Sequence, residues 1–162
     1  MHQFDDHAYM GVALGLARRA GALGEVPVGA IVVHQGDIIG RGFNLRERTQ
    51  NPLLHAEMIA LEQASQNLKS WRLIDCTLYV TLEPCPMCAG ALIQSRVDRV
   101  VYGCTDPKGG AVDSLYTLLS DVRLNHRAQI TSGCRSEEAS TLLTRFFQAR
   151  RMQNKRNKQK KL

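Results

Sequence analysis

Four side chains in two short motifs could together hold a metal ion and move protons. The pattern H-x-E runs from His55 to Glu57, and the pattern P-C-x-x-C begins at Pro84 and contains Cys85 and Cys88. Imidazole and thiolate groups are ligands that Zn²⁺ prefers, and catalytic zinc sites use three protein ligands and leave one position for water. His55, Cys85 and Cys88 supply three ligands, which leaves Glu57 free to handle the protons of that water. The two motifs therefore predict hydrolysis at a zinc centre.

Each motif alone also fits other functions. A C-x-x-C pair can be a redox couple, half of a structural zinc site or two buried thiols, and H-x-E by itself carries almost no information. The two motifs occur together, with Cys85 lying 30 positions after His55. A thioredoxin-like redox protein has no use for the H-x-E motif, so the combination favours a catalytic metal site.

The first motif is predicted to lie at the tip of a helix. Asn51 and Pro52 resemble a helix start, with Asn as the cap and Pro at the first helical position, and the helix is expected to end near Asn67. Positions two apart differ by about 200° around an ideal helix, which is awkward for joint chelation. We therefore assign Glu57 as a proton shuttle and His55 as the ligand. The apolar stripe expected to bury this helix consists of Met58, Ala60, Leu61, Ala64 and Leu68.

The second motif is predicted to lie at a strand-to-helix turn. An apolar run over Thr77–Leu82 precedes the cysteines, and a helical pattern over Ala89–Gln94 follows them. Both cysteines would then lie near a helix N-terminus, where the helix dipole and free backbone N–H groups favour thiolates.

The remaining pattern predicts a three-layer α/β/α sandwich around a five-stranded mixed sheet. Its helices and strands alternate, which indicates parallel crossovers. Trp71, Phe146 and Phe147 are expected to cover or fill the core. The other predicted elements are helices over residues 5–22, 114–119 and from 136, a hairpin of strands 28–34 and 38–44, and strands 97–103 and 128–132.

Length and composition fit one domain in a reducing compartment. The chain has 162 residues, and it has no apolar run approaching the 18 residues of a membrane span. Its first six residues carry acids where a signal peptide needs basic residues. The odd count of five cysteines argues against a disulfide framework. We therefore expect a cytoplasmic protein in which Cys76, Cys104 and Cys134 are small buried hydrophobes.

Charge is concentrated at the C-terminal end. Residues 150–162 contain seven basic residues and no acid, so the formal net charge of +6 leaves −1 on residues 1–149. Residues 152–162 are expected to form a disordered basic tail. Such a tail could serve only solubility, but clusters of Lys and Arg also attract phosphates. Of these two interpretations we favour contact with RNA, through Arg150, Arg151, Lys155 and Arg156.

The pair of motifs resembles the signature of the zinc-dependent cytidine/adenosine deaminase family, in which H-x-E is followed by P-C-x-x-C. The resemblance extends over about residues 5–151 to the members of that family that act on bacterial tRNA. Beyond the metal motifs it rests on the stretch Gly24–Ala30, on Asn44, and on residues 102–114 around Asp106. It implies a zinc-dependent deaminase domain over residues 1–151 with one Zn²⁺ per subunit.

This resemblance also implies the substrate and further site residues. The implied reaction is hydrolytic deamination of adenosine to inosine at the wobble position of the tRNA anticodon, by a homodimer. The residues alone support hydrolytic deamination of a nucleobase, so a deaminase of a free base or nucleoside, such as guanine or cytosine, remains the alternative. For Asn44, local turn bonds are the alternative to substrate contact. The implied substrate-binding residues are Asn44, Val28, Pro84, Asp106 and Lys108.

Overall fold

A computed structural model describes residues 5–160 of the chain. Its helices are α1 (Asp6–Ala22), α2 (Arg46–Thr49), α3 (Ala56–Leu68), α4 (Pro86–Gln94) and α5 (Ser136–Gln159). Its strands are β1 (Gly29–His34), β2 (Asp37–Phe43), β3 (Cys76–Leu82), β4 (Arg99–Cys104) and β5 (Gln129–Thr131).

The five strands form one mixed sheet in the order β2-β1-β3-β4-β5. Strand β1 is antiparallel to both of its neighbours, and the pairs β3–β4 and β4–β5 are parallel. Helix α4 makes the connection between β3 and β4, as expected of a parallel crossover. The predicted five-stranded mixed sheet is therefore confirmed.

Two hydrophobic cores lie on opposite faces of this sheet, which makes the molecule three-layered. One core joins residues of α3 and α4 to alternate residues of the strands, for example Ala60 and Leu92 around Leu78. The other joins α1 and α5 to the remaining strand residues, for example Leu14 and Ala139 around Val101. The central strands are buried on both sides, as their nearly continuous apolar runs predicted.

Helix α3 lies unusually close to β2 because two positions of that strand lack a side chain. A Cβ at Gly42 would overlap the backbone carbonyl of Ala56, and one at Gly40 would overlap that of Ala60. The close approach sets the position of the first turn of α3, which carries the H-x-E motif.

The helix with the first motif begins later than Asn51 and Pro52 predicted. Its first residue is Ala56, and His55 is its N-cap. The side chain of Asn51 instead accepts a hydrogen bond from the backbone N–H of Leu53, at 3.0 Å. The Asn-Pro pair therefore belongs to a local turn, and the predicted start was wrong by four residues.

Two further local predictions were wrong. The segment 114–119 is not one helix; a single 3-10 turn spans Leu118–Ser120. Trp71 does not cover the core, since 56% of its surface is exposed and the guanidinium of Arg72 stacks on its ring at 4.1 Å. The ring is instead shielded on one side by this cation.

Helix α5 continues through much of the segment predicted as a basic tail, as far as its last residue, Gln159. Residues 152–159 contain no Gly or Pro, and Lys, Arg, Gln and Met are good helix formers. A helix already anchored by packed residues can add further turns without a new nucleation step. Residues 161 and 162 of the predicted tail, and residues 1–4 of the acidic N-terminal segment, lie outside the described residues.

Across residues 5–160, no helix is both long and apolar enough to cross a membrane.

We expect Gly42→Ala to destabilise the protein by about 1–3 kcal/mol, because the new methyl group must push α3 away from β2. Gly15→Ala is the matched control. It lies within α1, and no atom lies within 4 Å of the place its new methyl group would take, so it should stabilise the helix by about 0.5–1 kcal/mol. Urea denaturation of both variants measures the difference, and equal stabilities would contradict the close approach.

Candidate metal and substrate site

The two sequence motifs meet because two helices begin at the same place. His55 is the N-cap residue of α3, and Cys85 is the N-cap residue of α4, with Pro86 at the first helical position. Glu57 and Cys88 lie in the first turns of the same two helices. Both helix dipoles therefore point their positive ends at this group, which favours thiolates there.

The geometry of the three predicted ligands fits a tetrahedral metal ion. The Nδ1 atom of His55 lies 3.5 Å from the Sγ atom of Cys85 and 3.5 Å from that of Cys88. Bond lengths of zinc to nitrogen and sulfur imply a separation of about 3.5 Å between two such ligands of one tetrahedral ion. Of the residues that the structure describes, these three form the one group of His, Cys, Asp or Glu side chains suited to holding an ion.

The pKa values of the two ligand thiols shift in opposite directions, because the contact between them favours the thiolate of one and the protonated form of the other. Hydrogen bonding with Cys88 lowers the pKa of Cys85 to about 4, against the opposing effect of burial and with help from His55. The same contact raises the pKa of Cys88. By contrast, burial raises the pKa of Cys76 to about 11, as expected of an inert thiol in the core.

Glu57 lies beside the ligands with its carboxyl group almost fully removed from solvent. Only 4% of its surface is exposed. Burial raises the pKa of Glu57 to about 7, and the sulfur of Cys85 adds to that effect. A carboxyl group with a pKa near neutrality can both accept and return a proton at physiological pH.

A cavity of about 650 Å³ opens over this group. His55, Glu57 and Cys85 line it, while Cys88 is fully buried and is not among the lining residues. Such a volume lies within the usual range for sites that enclose a small organic ligand. The other lining residues are Val26, Val28, Asn44, Arg46, Ala56, Leu82, Glu83, Thr105, Asp106, Lys108, Leu143, Thr144, Phe147 and Arg151.

Four of the five implied substrate-binding residues lie on the cavity wall. Val28 and Asn44 are nearly buried, whereas Asp106 and Lys108 belong to the segment after β4. Pro84 is not part of the wall; its carbonyl oxygen accepts a hydrogen bond from the backbone N–H of Ala111, at 2.8 Å.

Asn44 makes the local hydrogen bonds considered for it and also lines the cavity. Its Oδ1 atom accepts a bond from the backbone N–H of Arg46 at 3.1 Å, and its Nδ2 atom donates to the carbonyl of Val26 at 3.4 Å. These local bonds hold the amide in place while the residue lines the cavity.

Helix α5 supplies a side of the cavity that the sequence pattern did not predict. Phe147 was expected in the core, but it is 40% exposed and lines the cavity with Leu143 and Thr144. Phe146 is half-buried, and its ring contacts that of Phe147 edge-on with centroids 5.4 Å apart. The amphipathic pattern could not predict which of the two phenylalanines is exposed, because both belong to the apolar stripe of the helix.

The basic residues singled out at the C-terminal end have different surroundings. Arg151 lines the cavity, and the guanidinium of Arg150 lies over the ring of Phe146 at 5.4 Å. Lys155 and Arg156 are exposed on the last turns of α5, farther along the same helix.

Two buried carboxylates near the cavity were missed by the sequence analysis. Glu25 is fully buried and accepts hydrogen bonds from the backbone N–H groups of Glu47 and Arg48, at 3.2 and 2.6 Å. Glu83 is 2% exposed and accepts bonds from the segment after β4. Glu25 precedes an apolar stretch of the sequence, and Glu83 follows one. That position was the available signal that each carboxylate would be buried and would need hydrogen-bond donors.

The sheet order, with the ligand group at two helix N-termini, is that of the cytidine deaminase-like enzymes. The family model for the MafB19-like deaminases matches residues 4–151. The chain therefore belongs to the MafB19-like deaminase family, and it is an enzyme of the deaminase type.

Within the deaminases, the chain is similar to individual proteins that are named for action on tRNA. The chain is 49% identical over 150 residues to the tRNA-specific adenosine deaminase of Bacillus subtilis (strain 168), covering 93% of each protein. It is 48% identical over 151 residues to the tRNA-specific adenosine deaminase of Haemophilus influenzae, covering 93% of this chain and 87% of the relative. A solved structure from work on A-to-I editing by tRNA:A34 deaminases superposes with a TM-score of 0.81 at 40% identity, covering 84% of this chain and 99% of the other. These relatives confirm the resemblance that the two motifs indicated.

Proposed function

We propose that this chain hydrolytically deaminates adenosine to inosine at the wobble position of a tRNA anticodon, with release of ammonia. The observation that carries the proposal is the buried Glu57 beside the His55, Cys85 and Cys88 ligand group, at a cavity with basic residues on its wall. The names of the relatives support adenosine in tRNA over a free base or nucleoside.

Zinc is the metal that the donor set favours, with one ion per subunit. One nitrogen and two sulfur ligands suit Zn²⁺ and leave its fourth position open. When bound, such an ion lowers the pKa of water toward neutrality and so supplies a nucleophile at physiological pH.

Glu57 moves the protons of the reaction. Addition of water across the C6–N1 bond of adenine requires that one proton leave the water and one reach N1; Glu57 can accept the first and deliver it to N1. Glu57 then transfers the remaining proton, that of the new C6 hydroxyl, to the C6 amino group. The C6–N bond breaks, ammonia leaves, and the C6–O bond becomes the carbonyl of inosine. Water is consumed and no oxidant or reductant is needed. The pKa of Glu57, raised by burial to about 7, suits both directions of transfer.

The cavity wall suits an unpaired nucleotide rather than a free base. Arg46, Lys108 and Arg151 lie on it, and a free base carries no phosphate for such cations to contact. A base in a stacked duplex cannot reach a site of this depth, but a base splayed out of an anticodon loop can. In this proposal Asn44 and Val28 contact the base and Asp106 contacts the loop around it, which their positions on the cavity wall support.

The chain's assembly and location are part of the proposal. A homodimer is supported by large apolar side chains that are exposed in the single chain, such as Leu115, Tyr116 and Val122. A cytoplasmic location is supported by the tRNA-acting relatives and by the free thiols of all five cysteines. Residues 1–151 are proposed as the deaminase domain.

We expect the purified protein to hold about one equivalent of zinc and to lose it on Cys88→Ser, since two ligands hold Zn²⁺ much less tightly than three. Cys134→Ser is the matched control, because this half-buried thiol lies outside the ligand group. Elemental analysis by mass spectrometry measures the metal content. Full zinc occupancy in the Cys88 variant would show that the ligand group has been misassigned.

Glu57→Ala should keep zinc and tRNA binding while turnover falls by about 10²- to 10⁴-fold, because the proton shuttle is lost. Inosine is measured by mass spectrometry after tRNA is incubated with the protein and digested to nucleosides. Glu62→Gln, an exposed carboxylate on the same helix, is the control. Normal turnover in the Glu57 variant would refute its role, and turnover of free guanine or cytosine without inosine formation would favour the alternative substrate class.

Deleting residues 152–162 should weaken tRNA binding and flatten its salt dependence without unfolding the domain. For every phosphate that the shortened protein no longer neutralises, the slope of log K against log[salt] should fall by about 0.9 or less. A full-length variant with Lys155, Arg156, Lys158 and Lys160 changed to Gln should reproduce the deletion, whereas changing Gln153, Asn154 and Asn157 to Ala should not. A salt slope unaltered by the deletion would leave the segment with a solubilising role only.

A further inference from the structure

Glu83 connects the metal-binding turn to the segment after β4, which we call the 105–114 segment. It follows the last residue of β3 and precedes the P-C-x-x-C motif by one position. Its Oε1 atom accepts hydrogen bonds from the backbone N–H of Asp106, at 3.1 Å, and from the hydroxyl of Ser114. Its Oε2 atom accepts three more, from the backbone N–H groups of Val112, Asp113 and Ser114, at 3.0–3.1 Å. One side chain therefore binds five donors from both ends of the segment.

These five donors require a carboxylate in particular. Both oxygens of Glu83 act only as acceptors, whereas a glutamine would offer one acceptor and turn an NH₂ group toward N–H donors. Gly110 completes the fit, because a Cβ at this position would overlap the Glu83 carboxylate. Buried N–H groups that lose their acceptor are costly, so the segment depends on this one side chain.

Other contacts join the same segment to its surroundings, but none replaces Glu83. The backbone N–H of Ala111 donates to the carbonyl of Pro84 at 2.8 Å, and the hydroxyl of Tyr102 donates to the carboxylate of Asp113. The segment has no helix or strand of its own between β4 and the 3-10 turn at Leu118. Bonds within the segment shape its middle, where the Asp106 carboxylate accepts from the backbone N–H groups of Lys108 and Gly109. Glu83 joins its two ends.

The 105–114 segment carries Asp106 and Lys108 to the cavity wall, which also includes Arg151 of α5. The oxygens of Glu83 are occupied by the segment, so Glu83 holds these groups in place instead of binding the substrate itself. We propose that Glu83 is a positioning residue that holds the 105–114 segment in the shape required to bind the RNA around the target base. This proposal rests on the proposed function for the identity of the ligand.

A positioning role predicts a specific kinetic effect. Glu83→Gln should raise KM for an RNA hairpin with adenosine at the wobble position by about tenfold, and kcat should change by less than about threefold. Zinc content should remain that of the wild type, because the ligands themselves are unchanged. Gly110→Ala should act in the same direction, since it displaces the same carboxylate.

A double-mutant cycle separates positioning from a general loss of stability. Lys108→Ala should raise KM in the wild-type background but add little in the Glu83→Gln background, because Lys108 is already misplaced there. Glu62→Gln is the matched control for a Glu-to-Gln change on an exposed surface. Fully additive effects of the Glu83 and Lys108 changes would overturn the proposal.

Hydrogen exchange tests the same proposal without any substrate. In Glu83→Gln the amides of Val112, Asp113 and Ser114 should exchange at least about tenfold faster than in the wild type, with unchanged protection in α1. Unchanged exchange, loss of zinc, or a fall in kcat with normal KM would each overturn the proposal. If Glu83→Gln does not fold, Ser114→Ala provides the comparison, with a smaller effect in the same direction. Failure of the wild type to form inosine would refute the proposed function, while the exchange result would still decide whether Glu83 holds the segment.

Discussion

The site depends on two helix N-termini that converge on one imidazole and two sulfurs. Helices α3 and α4 contribute to the same core on one face of the sheet, and their N-terminal ends lie close together. His55 and Cys85 are then N-cap residues facing each other, with ligand atoms 3.5 Å apart. Backbone N–H groups without helical partners make this region electropositive, which favours the thiolates that a metal ion needs. The rest of the cavity is arranged around this group.

Two buried glutamates near the ligand group have opposite acid–base behaviour because of what surrounds them. Burial raises the pKa of Glu57 to about 7. Burial alone would raise the pKa of Glu83 as well. The hydrogen bonds that its carboxylate accepts from Ser114, Asp113 and Asp106 outweigh burial, and the pKa is lowered to about 2. Glu57 can therefore exchange protons near neutral pH, whereas Glu83 stays an anion that holds backbone. The same type of side chain can thus transfer protons in one environment and hold the backbone in place in another.

The cavity over the ligand group is assembled from parts of the chain that are far apart in sequence. The end of β2 supplies Asn44, the 105–114 segment supplies Asp106 and Lys108, and α5 supplies Phe147 and Arg151. The continuation of α5 through Gln159 gives the basic residues up to that point a regular helical arrangement. Apolar and basic groups thus lie side by side on one wall, as a splayed nucleotide with its base and phosphates would require.

The sequence alone indicated the ligand group, the role proposed for Glu57 and the sheet class, because these depend on residue type, on short spacing and on periodicity. It also located the hairpin and the strand-to-helix turn before Cys88. Local cues misled at Asn51, where a good capping pair forms a turn four residues before the helix actually begins. The tertiary structure alone decided what long-range contacts control: the partners of Glu25 and Glu83, the exposure of Trp71, and the place of Phe147 at the cavity. A buried carboxylate looks the same in a sequence whether it takes up protons or holds backbone, and only its neighbours in space decide which.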